Sequence, residues 1–447
     1  MIDVAIVGGG ASGVLLALQL MRRDGKPLSV ALIDRAADPG LGIAYATPEA
    51  DHLLNTPADV MSIYPDAPEH FTHWLEANRH AAGARFLSRQ LYGRYLQSAL
   101  AEAMARSRGR LRIVMGTAVA VADAGERARV TIQDAAAIEA RAVVLATGHR
   151  PPSVDKGALR GNPWDPGLLA GLDRHASVLV IGTGLTMIDV VISLRGHGHR
   201  GKIVALSRRG LLPRPHTASP PALAAPEVEV LFQGALSARL AVFRKLATAA
   251  GGWEALMQAL RPRNQDLWQS LDEGEKRRFL RHLRPWWDVH RHRVAPSVWQ
   301  RIAEAMADGQ LAVVAGRIVA MDAKPDRVGV AIAPRGAGEG EVERRMFDRV
   351  IDCRGPRNGI DDRDPLYAQM AADGLIRPDP LGLGLDVDHT DALVGAAGRP
   401  SARLFALGPP TRGRYWEITA IPDIRAQAAR LAGRLADLLA APGAVAP

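Results

Sequence analysis

Two glycine clusters have the spacing of phosphate-binding turns. Gly8-Gly9-Gly10-Ala11-Ser12-Gly13 follows an apolar run at 4–7 and precedes an apolar, helix-like run at 14–21. In a G-x-G-x-x-G turn the first glycine permits a tight turn and the second leaves room for a pyrophosphate. The third lets helix and strand pack closely. The helix N-terminus then presents free N–H groups and a positive dipole end to phosphate. The next apolar run, 29–33, leads into Asp34, an acid placed to hydrogen-bond a ribose hydroxyl. A purely structural turn with a surface acid is the competing reading; strand, turn, helix and acid together favour a dinucleotide.

The second cluster, Gly182-Thr183-Gly184, follows an apolar run at 178–181. Its third position is Met187, so the helix here packs on its strand in another way. The following strand-like run, 202–206, ends in Ser207-Arg208-Arg209 and not in an acid. Guanidinium groups pair with a 2′-phosphate where a carboxylate repels it. The expected cofactor is therefore NADPH or NADH, with NADPH favoured. The two arginines also read as solvated surface charge.

The densest chemistry lies at 283–293, with Arg284, Trp286, Trp287, Asp288, His290, Arg291, His292 and Arg293 in one short segment. Indole faces stack on planar rings, arginine clamps anions and histidine moves protons near neutral pH. Three readings stay open: contact with a planar anionic substrate, contact with cofactor phosphate, or anchoring of a helical segment. His290 and His292 are too closely spaced for the usual helix-face metal pair, and no metal site is expected. Asn55, in a loop before Pro57, is either a polar contact for a cofactor ring or a turn-forming residue.

Taken together, these motifs resemble a known group. The first glycine turn, Ala146-Thr147-Gly148 after an apolar run at 142–145, and the second Gly-x-Gly resemble flavoproteins with two dinucleotide domains. Asn55-Thr56-Pro57, the stretch 86–96, the stretch 283–293, Leu407-Gly408-Pro409 and Trp416-Glu417-Ile418-Thr419-Ala420 resemble the bacterial FAD/NAD(P)-binding proteins that include the FAD-dependent urate hydroxylase. The likeness runs through nearly the whole chain. It implies FAD at the N-terminal unit, held by Gly8, Gly10, Ser12, Gly13, Asp34, Arg35, Asn55, Arg89, Val119, Ala146, Thr147, Gly148, Gly408, Thr419 and Ile424. It implies the nicotinamide cofactor at Gly182, Gly184, Arg208 and Arg209. The implied activity is monooxygenation through a peroxyflavin, with O₂ and a small polar molecule as substrates. Urate is the first substrate to expect, met by Asn55, Arg284, Trp287, His290 and Arg291. The alternatives are N-hydroxylation of an amino compound, electron transfer to a partner, and a flavin sensor without turnover.

These residues need an α/β frame of two Rossmann-like dinucleotide-binding domains with a helical insertion. The expected division is a first FAD-binding part at 1–170, an NAD(P)-binding part at 171–345 and a return to the FAD-binding domain at 346–447. The insertion is expected at about 211–310, opening with a Pro- and Ala-rich loop at 212–226. Its helices are expected at 235–250, 253–260, 273–282 and 296–307. Strands are expected at 311–314 and 327–332. A final helix starts near Ile421, with Pro422 in its first turn.

Composition narrows the function classes. The chain has 447 residues, enough for two or three domains, and 47% hydrophobic residues, an ordinary globular share. Its single cysteine cannot form an internal dithiol, which argues against disulfide-reductase chemistry. The formal charge of +9 comes from scattered arginines without a basic block, so no nucleic acid is expected. No apolar run approaches the roughly 18 residues of a membrane span. A buried strand beginning at residue 2 leaves no room for a signal peptide, and the expected location is cytoplasmic.

Overall fold

The computed structural model describes residues 2–36, 38–80, 83–149, 160–165, 167–217, 228–338, 340–355, 359–360 and 363–440. Two sheets organise them. The first has the strand order Ala392–Val394, Pro400–Ala406, Ile138–Leu145, Ile2–Val7, Val30–Asp34, Leu111–Met115. All neighbours are parallel except the first pair. A hairpin of Ala118–Asp123 and Ala128–Ile132 pairs antiparallel with Ile138–Leu145. The central strand Ile2–Val7 is almost wholly buried, as parallel strands covered on both faces must be. Helices Ala11–Arg22 and Ile421–Ala440 pack on each other. The second of these buries Ile424, Ala428, Leu431, Leu435 and Leu439, a stripe at helical spacing.

The second sheet runs Glu343–Phe347, Val328–Pro334, Leu311–Ala323, Ile203–Ser207, Val178–Ile181, Arg349–Asp352, Arg160–Gly161. Its last five strands are parallel and its first three form an antiparallel meander. The two-sheet α/β architecture is the one the sequence implies.

The boundaries differ from expectation in three places. Arg349–Asp352 lies beside Val178–Ile181, anchored where Asp348 accepts hydrogen bonds from the Ser177 N–H and hydroxyl. The chain therefore leaves the second sheet after Asp352, not at 345, and Arg160–Gly161 already belongs to that sheet, ahead of 171. Helix Pro296–Ala307 is the crossover between two parallel strands of the sheet. Its Val298, Ile302 and Ala305 join the core under Val178 and Ile203. The insertion proper thus ends near Arg293.

Two of the expected insertion and sheet elements also shift in length. The helix expected at 273–282 stops at Arg278 and continues as a wide turn, Phe279–Leu283, before helix Arg284–Arg291. Proline lacks the N–H that would bond back to that preceding turn, which is where Pro285 stands. The strand expected at 311–314 extends to Ala323, because Val328–Pro334 pairs along its second half. Residues 218–226 of the expected loop lie outside the described residues.

Candidate functional site

A cleft of about 1080 Å³ opens along the C-terminal ends of the first sheet's parallel strands, the end at which open α/β sheets bind ligands. Gly8, Gly10 and Ser12 line one end, with Asp34 and Arg35 beside them. Ala146, Thr147 and Gly148 form its middle, and Thr419, Ile421 and Ile424 close the other end. The structure thus gathers in one cavity residues spread over more than 400 positions.

The glycines act as their spacing implies. Gly8 has φ +110°, and a Cβ there would lie 2.4 Å from the Ala146 carbonyl oxygen. A Cβ on Gly13 would lie 1.9 Å from the Gly8 carbonyl oxygen, so helix and turn touch through backbone. Gly10 differs: a Cβ there meets nothing closer than Gly42 Cα at 3.6 Å. Gly10 is the N-cap of helix Ala11–Arg22, and no side chain caps that end. The first-turn N–H groups are left for an anion. An uncapped helix start, an open glycine and a long cavity together fit a dinucleotide pyrophosphate. Asp34 also serves the turn, accepting from the Gly9 N–H and from the Ala36 N–H at 2.7 Å.

Two expected contacts shape the cleft from outside its lining. Gly408 has φ +74°, and a Cβ there would come within 2.5 Å of Ser12 Oγ. Its N–H donates to the fully buried Gln427, which donates in turn to Asp391. Val119 sits where the hairpin's pairing shifts between Ala118 and Ala120, while its neighbours Thr117 and Ala118 line the cleft.

The opposite wall comes from the second domain. Helix Leu185–Gly196 contributes Thr186, Asp189 and Ser193. Arg89, which also lines the cleft, pairs with Asp189 at 2.9 Å and donates to the Leu53 carbonyl. His52 Nε2 lies 2.8 Å from Ser193 Oγ. These bridges join residues 100 or more positions apart, and nothing local in the sequence marks His52 or Asp189.

In the second glycine turn, Gly182 has φ +111°, with its would-be Cβ 2.5 Å from the Cys353 carbonyl oxygen. Gly184 caps helix Leu185–Gly196, no side chain caps that end either, and its would-be Cβ faces open space. Met187 fills the third position as a fully buried side chain. The turn therefore keeps its open helix start without the third glycine. Arg208 is exposed, and the Arg209 guanidinium lies 5.9 Å from the Trp286 ring centre.

The 283–293 stretch is largely occupied by the protein itself. Trp287 Nε1 donates to Glu417 Oε1 at 2.8 Å, and Arg291 Nε lies 2.9 Å from Glu417 Oε2. Arg284 pairs with Asp288 at 3.3 Å. His290 stacks on Trp253 with ring centres 4.6 Å apart and planes 14° apart. Burial, with Arg214 and Arg293 nearby, lowers its pKa to about 4. His290 is therefore neutral at pH 7, which suits a stacking wall and not a proton donor. Asn55 is not among the residues lining the cleft; its backbone carbonyl lies 3.0 Å from His216 Nε2.

A buried charge cluster stands at the start of helix Ile421–Ala440. Arg261 Nη2, Arg291 Nη2 and Asp423 Oδ2 have no hydrogen-bond partner among the described residues. Burial raises Asp423 to about 6, with Glu417 adding to the rise against Arg291 and Arg261. A folded pKa above the unfolded value of 3.8 means that the native state holds a proton the unfolded chain releases. Stability then falls as pH rises from about 4 to 6, by roughly 2–3 kcal/mol. Asp423→Asn should remove that cost. Its unfolding midpoint should exceed wild type at pH 8 and match it at pH 4; equal gains at both values would show that Asp423 is not the titrating group.

Residues 5–150 match the family model described as FAD-NAD(P)-binding. The chain carries an FAD-NAD(P)-binding domain. No curated protein sequence matches the chain. Among solved structures, the L-lysine 6-monooxygenase of Pseudomonas syringae is similar over 98% of this chain and 100% of its own, with TM-score 0.68 and 16% identity. The ornithine N-hydroxylase of Kutzneria sp. 744, solved with reduced FAD, NADP⁺ and L-ornithine, covers 98% and 99%, with TM-score 0.65 and 16% identity. The thioredoxin reductase of Lactococcus lactis covers 98% and 99%, with TM-score 0.54 and 14% identity. The fold is that of flavoproteins with two dinucleotide-binding domains. Among the described residues, no helix is long and apolar enough to cross a membrane.

Proposed function

We propose that this chain is an FAD- and NAD(P)H-dependent monooxygenase that N-hydroxylates an amino compound. The observation that carries the reading is end-to-end likeness, in both directions, to enzymes named for N-hydroxylation of ornithine and oxygenation of lysine. The thioredoxin reductase has the same two-domain plan but superposes less well. Its chemistry also lacks a counterpart here. The one cysteine, Cys353, is buried beside the second glycine turn, and burial pushes its thiol pKa up, away from the reactive thiolate. Urate hydroxylation, the first expectation, draws no support from these relatives, and its stacking and clamping groups are engaged with Glu417 and Trp253.

FAD bound in the cleft would supply electron transfer from NAD(P)H and activation of O₂. The overall change balances as an amine, O₂, NADPH and a proton giving a hydroxylamine, water and NADP⁺. The chain's own residues hold the parts in place. Gly8, Gly10 and the open helix start would seat the pyrophosphate, and Asp34 fixes that turn. Arg89–Asp189 and His52–Ser193 set the spacing between the domains. The N-terminus of helix Ile421–Ala440 would face the flavin's pyrimidine end and favour negative charge there. Arg208 and Arg209 would read the 2′-phosphate. Asp423 Oδ2 and Arg261 Nη2, neither hydrogen-bonded among the described residues, place one acceptor and one donor near that helix start.

The test is a screen of the FAD-loaded protein with O₂, using primary amines, amino acids and purines. One amine should stimulate oxidation of NADPH, more than of NADH, and yield a product heavier by one oxygen that tests positive as a hydroxylamine. Stimulation by urate instead, or peroxide as the sole product with every amine, would overturn the reading.

A further inference from the structure

The helical insertion and Trp416 line a second pocket, half open to solvent and of about 300 Å³, separate from the dinucleotide cleft. Its wall is built from Phe243, Trp253, Trp268, Phe279, Trp287 and Trp416. A half-open pocket walled by large apolar rings is the usual setting for a small ligand. Two buried polar groups at the cavity lack partners among the described residues. Asn264, 3% exposed, has neither amide atom hydrogen-bonded, and the Trp416 Nε1–H has no acceptor. Buried polar groups are hydrogen-bonded in most folded proteins, so this pair sets the pocket apart from ordinary core.

The charges around this space have one sign. Among the described residues no carboxylate lines it. Arg239 is spent on the Gly234 and Ser270 carbonyls and the Ser270 hydroxyl. Arg244 lines the cavity and is solvent-exposed, with no ion pair among the described residues. Trp286, 44% exposed, stands at the same cavity. The ring wall offers apolar contact and ring edges, since Trp253 is stacked on His290 and Trp268 on Trp416, and Arg244 offers a cation toward solvent.

We infer that this cavity is a binding site for a small aromatic acid, its ring among the tryptophans and its carboxylate at Arg244. The site is independent of the amine-hydroxylation reading, since it shares no lining residue with the dinucleotide cleft. It is linked to that cleft through Trp287, which lines the cavity and donates to Glu417, two residues before Thr419. Burial of one aromatic ring against apolar walls and a charge-assisted contact at a solvent-facing arginine suit an affinity in the micromolar range.

The test uses the FAD-loaded protein, without NADPH, and calorimetry with two probes, 1-naphthylacetate and the neutral 1-naphthalenemethanol. Both should bind at one site, the acid at least ~10-fold more tightly. Arg244→Ala, an exposed change, should erase that preference by weakening the acid and leaving the alcohol unchanged. Leu240→Trp, which fills the cavity from its wall, should abolish binding of both while FAD content stays at the wild-type level. No saturable binding of either probe to wild type overturns the proposal. So does unchanged binding to a folded Leu240→Trp, or an acid preference that survives Arg244→Ala. If Leu240→Trp does not fold, the Arg244→Ala comparison decides alone.

Discussion

Gly10→Val should give a folded but colourless protein, whereas Gly13→Val should not fold at all. The two glycines lie three residues apart in one turn, yet they face different things. A side chain at Gly13 would drive its first carbon into the Gly8 carbonyl, at 1.9 Å, with Leu32 Cδ1 at 3.2 Å and no rotamer to relieve the clash with backbone. The turn and the helix it starts must separate, and the central strand Ile2–Val7 loses the helix that covers it. At Gly10 the backbone is extended, at φ −71° and ψ −173°, a conformation valine accepts without strain. Its side chain would enter the cleft in front of the uncapped N–H groups, the space a pyrophosphate requires. Circular dichroism and size-exclusion elution of Gly10→Val should match wild type, while flavin absorbance after purification falls to background. A yellow Gly10→Val protein would place the phosphates elsewhere. A soluble, cooperatively melting Gly13→Val protein would show that the helix has another way to approach its strand.

That contrast shows what a one-dimensional reading recovers. The glycine turns were legible because each residue's task is set by its immediate neighbours along the chain. The parallel strands were legible because burial on both faces leaves continuous apolar runs. The division into domains was less so. Arg349–Asp352 is a short strand whose place is fixed by Val178–Ile181, more than 160 positions earlier. Helix Pro296–Ala307 looks like its neighbours in the insertion and differs only in what it packs against. The cleft's far wall was invisible for the same reason, because Arg89 meets Asp189 and His52 meets Ser193 only once the two domains are docked. The 283–293 stretch advertised chemistry by composition. Its partner Glu417, over 120 positions away, takes up Trp287 and Arg291 in the folded protein.

That partner makes the Arg291–Glu417 pair the second place where a single substitution should act strongly. Glu417 has a side chain only 2% exposed, and Arg291 one 12% exposed. Burial opposes ionisation of Glu417, but Arg291, His292, the Trp287 hydrogen bond and Arg412 outweigh it and hold the carboxyl below its ordinary value of 4.5. Removing one partner of a buried pair costs about 3–5 kcal/mol, because the survivor stays charged and unsolvated. Arg291→Ala should therefore lower unfolding stability by that order. With Arg291 gone, burial dominates and Glu417 titrates higher. The loss should be largest at pH 8, where the carboxylate is charged, and shrink toward pH 4.5, where protonation removes the buried charge. Adding Glu417→Gln to Arg291→Ala should recover most of the stability at pH 8, since the amide oxygen still accepts from Trp287 and carries no charge. The double variant also separates the two roles open to Arg291. If it regains both stability and substrate-stimulated NADPH oxidation, Arg291 positions the segment leading to Thr419 through Glu417. If it regains stability and stays inactive, the Arg291 Nη2 that has no hydrogen-bond partner among the described residues belongs to the substrate. A single variant as stable as wild type at pH 8 would show that the pair carries no structural weight.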